Sequence, residues 1–266
     1  MRALSLPGCA CRGAFQFAVA ARLAAAGERF ALVAGASSGS VCGAITVAGL
    51  AERGPTIARS LMGSPVVSTR YLARERSIFG MGRILRDALE EHLPERLLEG
   101  TEAELLVATT HAERYARGLF PRPTLARLSP ESLVIHSNRD RRDLHDVIVA
   151  SCYIPLLYAG VSRLDGEVHV DGAVADNTLL DAVIARGARD ITVITPFADG
   201  AVARTMFSRE APLLAHPEVR IRVLYPERPL SVGRFDFDPE RLEQALTMPH
   251  CELILSNGIA SRRASA

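Results

Sequence analysis

With 266 residues, 48% of them hydrophobic and 23% charged, the chain has ordinary globular composition and the length to build a substantial core. Its 31 basic and 30 acidic residues leave a net charge of +1, which excludes the basic footprint of a nucleic-acid binder. Its sequence contains no lysine, so Schiff-base, Ser-Lys and P-loop lysine chemistries are excluded as well.

Taken in order, residues 3–6 read as a first strand, 7–13 as a loop of Gly, Cys, Ala and Arg, and 14–26 as an alanine-rich helix. Phe30 to Ala34 form a short apolar run between Gly27 and Gly35, the pattern of a buried strand. Val41, Ile45, Val47, Ala48 and Ala51 then recur at helical spacing until Gly54-Pro55. Two β-loop-α units therefore open the chain, and such units build a parallel sheet with its site at the C-terminal ends of the strands. Residues 55–100 read as a helical, charge-rich insertion with an amphipathic stretch over 82–89, either a surface layer or a lid.

Farther along, 104–110 reads as a strand, 117–129 as an irregular loop and 144–150 as a helix. Residues 167–170 form a short strand running into Asp171-Gly172-Ala173, followed by a helix over 179–188 and a strand over 190–194. Residues 220–225 close the strand list, and 239–261 reads as a helical tail. Neither a repeat nor a linker divides the chain, so one domain over 1–266 is expected. The five cysteines, Cys9, Cys11, Cys42, Cys152 and Cys251, are odd in number and scattered, which points to a reducing, cytoplasmic setting. Residues 3–6 are too short an apolar run for a signal peptide, and no stretch is long enough to span a bilayer.

The chemistry concentrates in Gly35-Ala36-Ser37-Ser38-Gly39, a G-x-S-x-G pentapeptide. Alone it suits a tight turn as well as a nucleophile elbow, but strand, sharp turn and helix are the context the elbow requires. Ser37 then stands at the strained tip with its hydroxyl exposed above the sheet. Gly35 and Gly39 let strand and helix pass closely, and the helix N-terminus faces any charge developing at Ser37. Ser38 reads as small-residue packing or a helix cap.

A Ser-His-Asp hydrolase of the α/β type carries its elbow after several strands and its histidine last. Here the elbow follows one earlier strand, and none of the seven histidines lies in a loop where a base is expected. His169 is the least ordinary of them, since strand alternation turns it to the face of Asp171. Asp171-Gly172 ends a strand, which places the carboxylate on the Ser37 edge of a parallel sheet. A carboxylate replaces imidazole as base if burial raises its pKa from about 3.9 toward the working pH. A plain turn aspartate is the competing reading.

A glycine-containing loop after the first strand, G-x-S-x-G after the second and D-G-A late in the chain together resemble the patatin-like phospholipases. Leu4-Ser5, Arg12-Gly13-Ala14-Phe15-Gln16, Ala150-Ser151-Cys152-Tyr153-Ile154-Pro155 and Val170 to Asn177 match in order, so the resemblance spans residues 3–195. It implies an α/β, three-layer fold with a mostly parallel central sheet and helices on both faces. It also implies a Ser-Asp dyad with Ser37 as nucleophile and Asp171 as base, with Gly172 allowing the tight turn after the acid. Gly8, Cys9, Ala10, Cys11, Arg12 and Gly13 correspond to the family's oxyanion loop, with Arg12 fixing the loop and Asp176 and Asn177 capping the next helix. No metal or organic cofactor is implied, because the dyad supplies its own base.

The departure lies in that loop, where the family's second and third glycines are Cys9 and Ala10. If those positions need φ > 0, each substitution costs about 1–3 kcal/mol of strain. Three functions follow: an esterase or lipid acyl hydrolase, an acyltransferase using the same acyl-enzyme, or a degenerate binding protein. The expected partner is a lipid or small-molecule ester, with at most peripheral membrane contact.

Overall fold

The computed structural model describes residues 1–75, 77–112, 130–155, 157–158, 160–208, 218–256 and 259–263. The strands are β1 (Arg2–Leu6), β2 (Leu32–Ala36), β3 (Glu104–His111), β4 (Leu133–Ser137), β5 (Arg163–Leu164), β6 (Glu167–Asp171), β7 (Asp190–Ile194), β8 (Arg220–Pro226), β9 (His250–Ser256) and β10 (Ile259–Arg263). The helices are α1 (Gly13–Ala25), α2 (Ser38–Val47), α3 (Gly54–Met62), α4 (Leu72–Glu75), α5 (Met81–His92), α6 (Leu144–Ser151), α7 (Leu180–Ala185) and α8 (Pro239–Thr247). The irregular loop expected over 117–129 lies outside the described residues.

The ten strands among the described residues join one sheet in the order β10-β9-β8-β7-β1-β2-β3-β6-β5, with β4 also on β3. From β8 through β7, β1 and β2 to β3 every pairing is parallel, and both margins are antiparallel. Strand alternation divides the core into two layers. Leu4, Leu6, Val33, Leu105 and Val107 face a layer built with α1, α2, α3, α5, α6 and α8. Ala3, Leu32, Ala34, Leu106, Ala108, Ile191 and Val193 face the opposite layer, which holds Val183 of α7. Helices on both faces of a mixed sheet make the three-layer α/β fold.

Two expectations need correction. The tail is not helical to residue 261: α8 stops at Thr247, and β9 and β10 follow. Leu242, Ala245 and Leu246 carry the helical period, but Pro249 cannot donate to a continuing helix. Beyond it Leu253 and Leu255 alternate onto one face, the period of a strand. His250 accordingly opens β9 instead of lying in a helix.

Second, Asp171 does not end a parallel strand. β6 runs antiparallel to β3, pairing Thr109 with Asp171 and His111 with His169. Thr109 also pairs with Val134 of β4, on the edge of β3 opposite β2. β2 occupies the other edge as far as Ala36 opposite Ala108. β2 and β6 therefore share one edge of β3 and point at each other. Their C-terminal ends, carrying Ser37 and Asp171, meet head to head.

Candidate active site

Ser37 follows β2 with φ 52° and ψ −130°, a conformation that L-residues avoid. The close packing around it explains why the turn persists. A Cβ on Gly35 would lie 2.4 Å from the Gly39 carbonyl oxygen, and one on Gly39 only 1.8 Å from that of Leu6. A Cβ on Gly8 would meet Ser37 Cβ at 2.6 Å, which brings the loop after β1 directly against the elbow. The Ser37 N–H donates to Ser151 Oγ at 2.9 Å, and its carbonyl accepts Ser40 Oγ at 2.6 Å.

Contrary to expectation, the Ser37 side chain does not stand free above the sheet. It is 7% exposed and forms part of the wall of a cavity of about 100 Å³. Val41, Leu61, Met62, Leu85, Leu157 and Phe237 are among the apolar side chains enclosing it. Leu61, Met62 and Leu85 come from α3 and α5, so the 55–100 region walls the site in addition to forming surface.

Asp171 is 1% exposed. Its Oδ1 accepts the Ala173 N–H at 2.9 Å, while Oδ2 is buried without a formed hydrogen bond. Burial pushes its pKa up to about 7, opposed by the neighbouring Ser37 hydroxyl and the Ala173 N–H, both of which favour the carboxylate. The serine and the carboxylate thus interact loosely, with the acceptor lone pairs of Oδ2 unspent. Tyr153 fixes the acid's backbone by accepting the Asp171 N–H at 2.9 Å, and Gly172 has no room for a Cβ, which would lie 2.2 Å from the Ala108 oxygen.

The loop after β1 has its donors almost fully engaged. Gly8 N–H donates to Asn177 Oδ1 at 2.6 Å and Cys9 N–H to Ser38 Oγ at 3.0 Å. Cys11 N–H donates to the Arg234 carbonyl at 2.9 Å, Arg12 N–H to that of Cys9 at 3.3 Å, and Gly13 N–H to that of Ala10. Among the described residues the Ala10 N–H alone in this loop has no partner, and Ala10 lines the Ser37 cavity. Ala10 holds φ 52°, whereas Cys9 has an ordinary negative φ of −149°. One of the two glycine replacements therefore sits in a glycine conformation and the other does not. Burial pushes the Cys9 thiol up to about 12 and the Cys11 thiol up to about 11, so both are neutral packing groups.

Several residues differ from their sequence reading. Asn177 does not cap a helix; its Oδ1 tethers Gly8 and its Nδ2 donates to the Ala203 carbonyl at 3.2 Å. Asp176 does act locally, accepting the Thr178 and Leu179 N–H groups. Ser38 neither caps α2 nor merely fills space, since it accepts the Cys9 N–H. Arg12 donates through Nε to the Val232 carbonyl at 3.2 Å. His169 is occupied with Thr109, Nδ1 lying 3.0 Å from the hydroxyl, which His136 Nε2 also contacts at 2.8 Å. Sequence reasoning missed Ser151 as a partner of the elbow, although it lies in a matched block. Phe235 and Phe237 carried no signal at all.

A family model described as patatin-like phospholipase matches residues 4–184. The search of curated proteins finds no match. Among solved structures the chain is similar to VipD from Legionella pneumophila, at 14% identity and a TM-score of 0.44. That alignment covers 73% of this chain and 50% of the other, so the chain spans about half the length of that protein.

Proposed function

The chain belongs to the patatin-like phospholipase family, whose members are hydrolases acting on ester bonds, and from that premise we propose that it cleaves a carboxylic ester through an acyl-enzyme on Ser37 with Asp171 as base. The observation that carries this reading is the meeting of a strained serine with a buried carboxylate of free Oδ2, beside an apolar cavity. Ser37 Oγ attacks the ester carbonyl carbon as Asp171 takes the hydroxyl proton. The oxyanion forms next to the free Ala10 N–H and the start of α2. Collapse expels the alcohol, which leaves with the proton from Asp171. Water then attacks the Ser37 ester, giving its proton to Asp171, and the acid departs as the proton returns to Ser37.

The cavity suits the acyl chain of a lipid or small-molecule ester. Five free cysteines accord with a reducing, cytoplasmic setting. Ala10 keeps a left-handed turn despite its Cβ, which supports a working oxyanion loop over a degenerate binding protein. Intact-mass labelling with a fluorophosphonate tests the reading. One adduct is expected on the wild type and none on Ser37→Ala. Asp171→Asn should label and hydrolyse p-nitrophenyl esters at least about 10²-fold more slowly, in the range that general-base catalysis contributes. Wild-type rates in both variants would remove the dyad assignment.

A further inference from the structure

The substituted loop is held by a segment beyond the family match, which ends at residue 184. Residues 232–237 pack against its far end. The Arg234 carbonyl accepts the Cys11 N–H at 2.9 Å, and the Val232 carbonyl accepts Arg12 Nε at 3.2 Å. Val232 is fully buried, while Phe235 and Phe237 wall the Ser37 cavity. Asp236 gives the segment its shape. Its Oδ2 accepts the Gly233 N–H at 3.3 Å and Arg241 Nη1 at 2.9 Å, and its Oδ1 accepts the Asp238 N–H at 3.1 Å.

A glycine would hold the left-handed turn at position 10 with little strain. Alanine there is strained by its Cβ, so the turn persists only where its surroundings enforce it. Asn177 and Ser38 hold one end of the loop through the Gly8 and Cys9 N–H groups. Among the described residues the other end is tied to the Val232 and Arg234 carbonyls and to the loop's own backbone. We propose that residues 232–237 form a strap that keeps the oxyanion loop in its working turn, and that Asp236 is a positioning residue for acyl transfer to Ser37. Asp236 does not line the Ser37 cavity; it acts through the strap. Without it the Val232 and Arg234 carbonyls shift, Ala10 relaxes toward negative φ, and its free N–H turns away from the cavity. This inference rests on the acyl-transfer reading of Ser37.

The test compares the full chain with Asp236→Ala and Asp236→Asn by the second-order rate of fluorophosphonate labelling at Ser37. Thermal unfolding and hydrogen–deuterium exchange over residues 7–13 accompany it. Asp236→Ala is expected to label about 10- to 100-fold more slowly, the scale on which small displacements of reacting groups act. Exchange over residues 7–13 should quicken, and kcat for a p-nitrophenyl ester should fall while KM holds. Asp236→Asn keeps one acceptor oxygen and should fall between. Should Asp236→Ala not fold, the same graded loss in Asp236→Asn decides. Labelling at the wild-type rate in a folded variant, or a fall confined to the unfolding midpoint, overturns the strap. A wild type that never labels overturns the acyl-transfer reading and the strap with it, which separates the two failures.

Discussion

Asp171 sits where its charge is hard to hold, and the consequences for rate and stability have opposite signs. As the proposed base it must be ionised, so kcat/KM for an ester should rise with pH through a single ionisation near 7. For stability, a carboxyl whose folded pKa lies above its unfolded value of about 3.9 favours folding while protonated. That contribution is present at low pH and is lost as pH rises through the window from about 4 to about 7. Asp171→Asn cannot ionise, so its unfolding midpoint should exceed that of the wild type at pH 8 and approach it at pH 5. A midpoint difference independent of pH would show that Asp171 does not titrate in this window. Ala10 gives a second prediction at this scale. Ala10→Gly removes the left-handed penalty of about 1–2 kcal/mol but adds unfolded-state entropy of about 0.4–1 kcal/mol. Denaturant unfolding should show a net gain between zero and about 1.6 kcal/mol, whereas Cys9→Gly, at an ordinary φ, should show none.

At the scale of elements, the site depends on how closely α2 can cross β1 and β2. The Gly39 position leaves 1.8 Å between a Cβ and the Leu6 oxygen, a backbone atom that cannot rotate away. Gly39→Ala should therefore cost more than about 3 kcal/mol in urea unfolding, beyond the usual range for a single substitution. A near-neutral effect would mean that α2 is free to slide. The same elements show what local pattern conveys and what it omits. The elbow glycines, the buried run before them and the helical period after them identified the turn, because steric demands at a tight turn act over a few residues. The partner of β6 was not legible, since a five-residue strand carries the same alternation whether it pairs parallel or antiparallel.

Across the whole molecule, the cavity at Ser37 is assembled from segments that are far apart in the chain. Val41 comes from α2, Leu61 from α3, Leu85 from α5, Leu157 from the stretch after α6 and Phe237 from the strap. Under the proposed acyl transfer to Ser37, acyl-chain preference is set by their joint packing. Leu157→Ala enlarges this space and should move preference toward longer p-nitrophenyl esters. Each added methylene that becomes buried is worth about 0.8 kcal/mol, up to about fourfold in kcat/KM. An unchanged ratio of octanoate to butyrate turnover would place the acyl chain elsewhere.

By itself the sequence determined the α/β fold class and the tight turn at Ser37, because each is a short-range steric or periodic demand met by neighbouring residues; Asp171 and the loop from Gly8 to Gly13 it singled out as candidates, the loop through its resemblance to the family. Tertiary structure alone decided that β6 arrives antiparallel and that β9 and β10 extend the sheet. It alone brought the amide of Asn177 to Gly8, and the strap from residue 232 onward to the loop near residue 11. Those contacts join groups roughly 170 to 220 positions apart. No local propensity encodes such a pairing; it exists only once the sheet has set the register that brings the partners together.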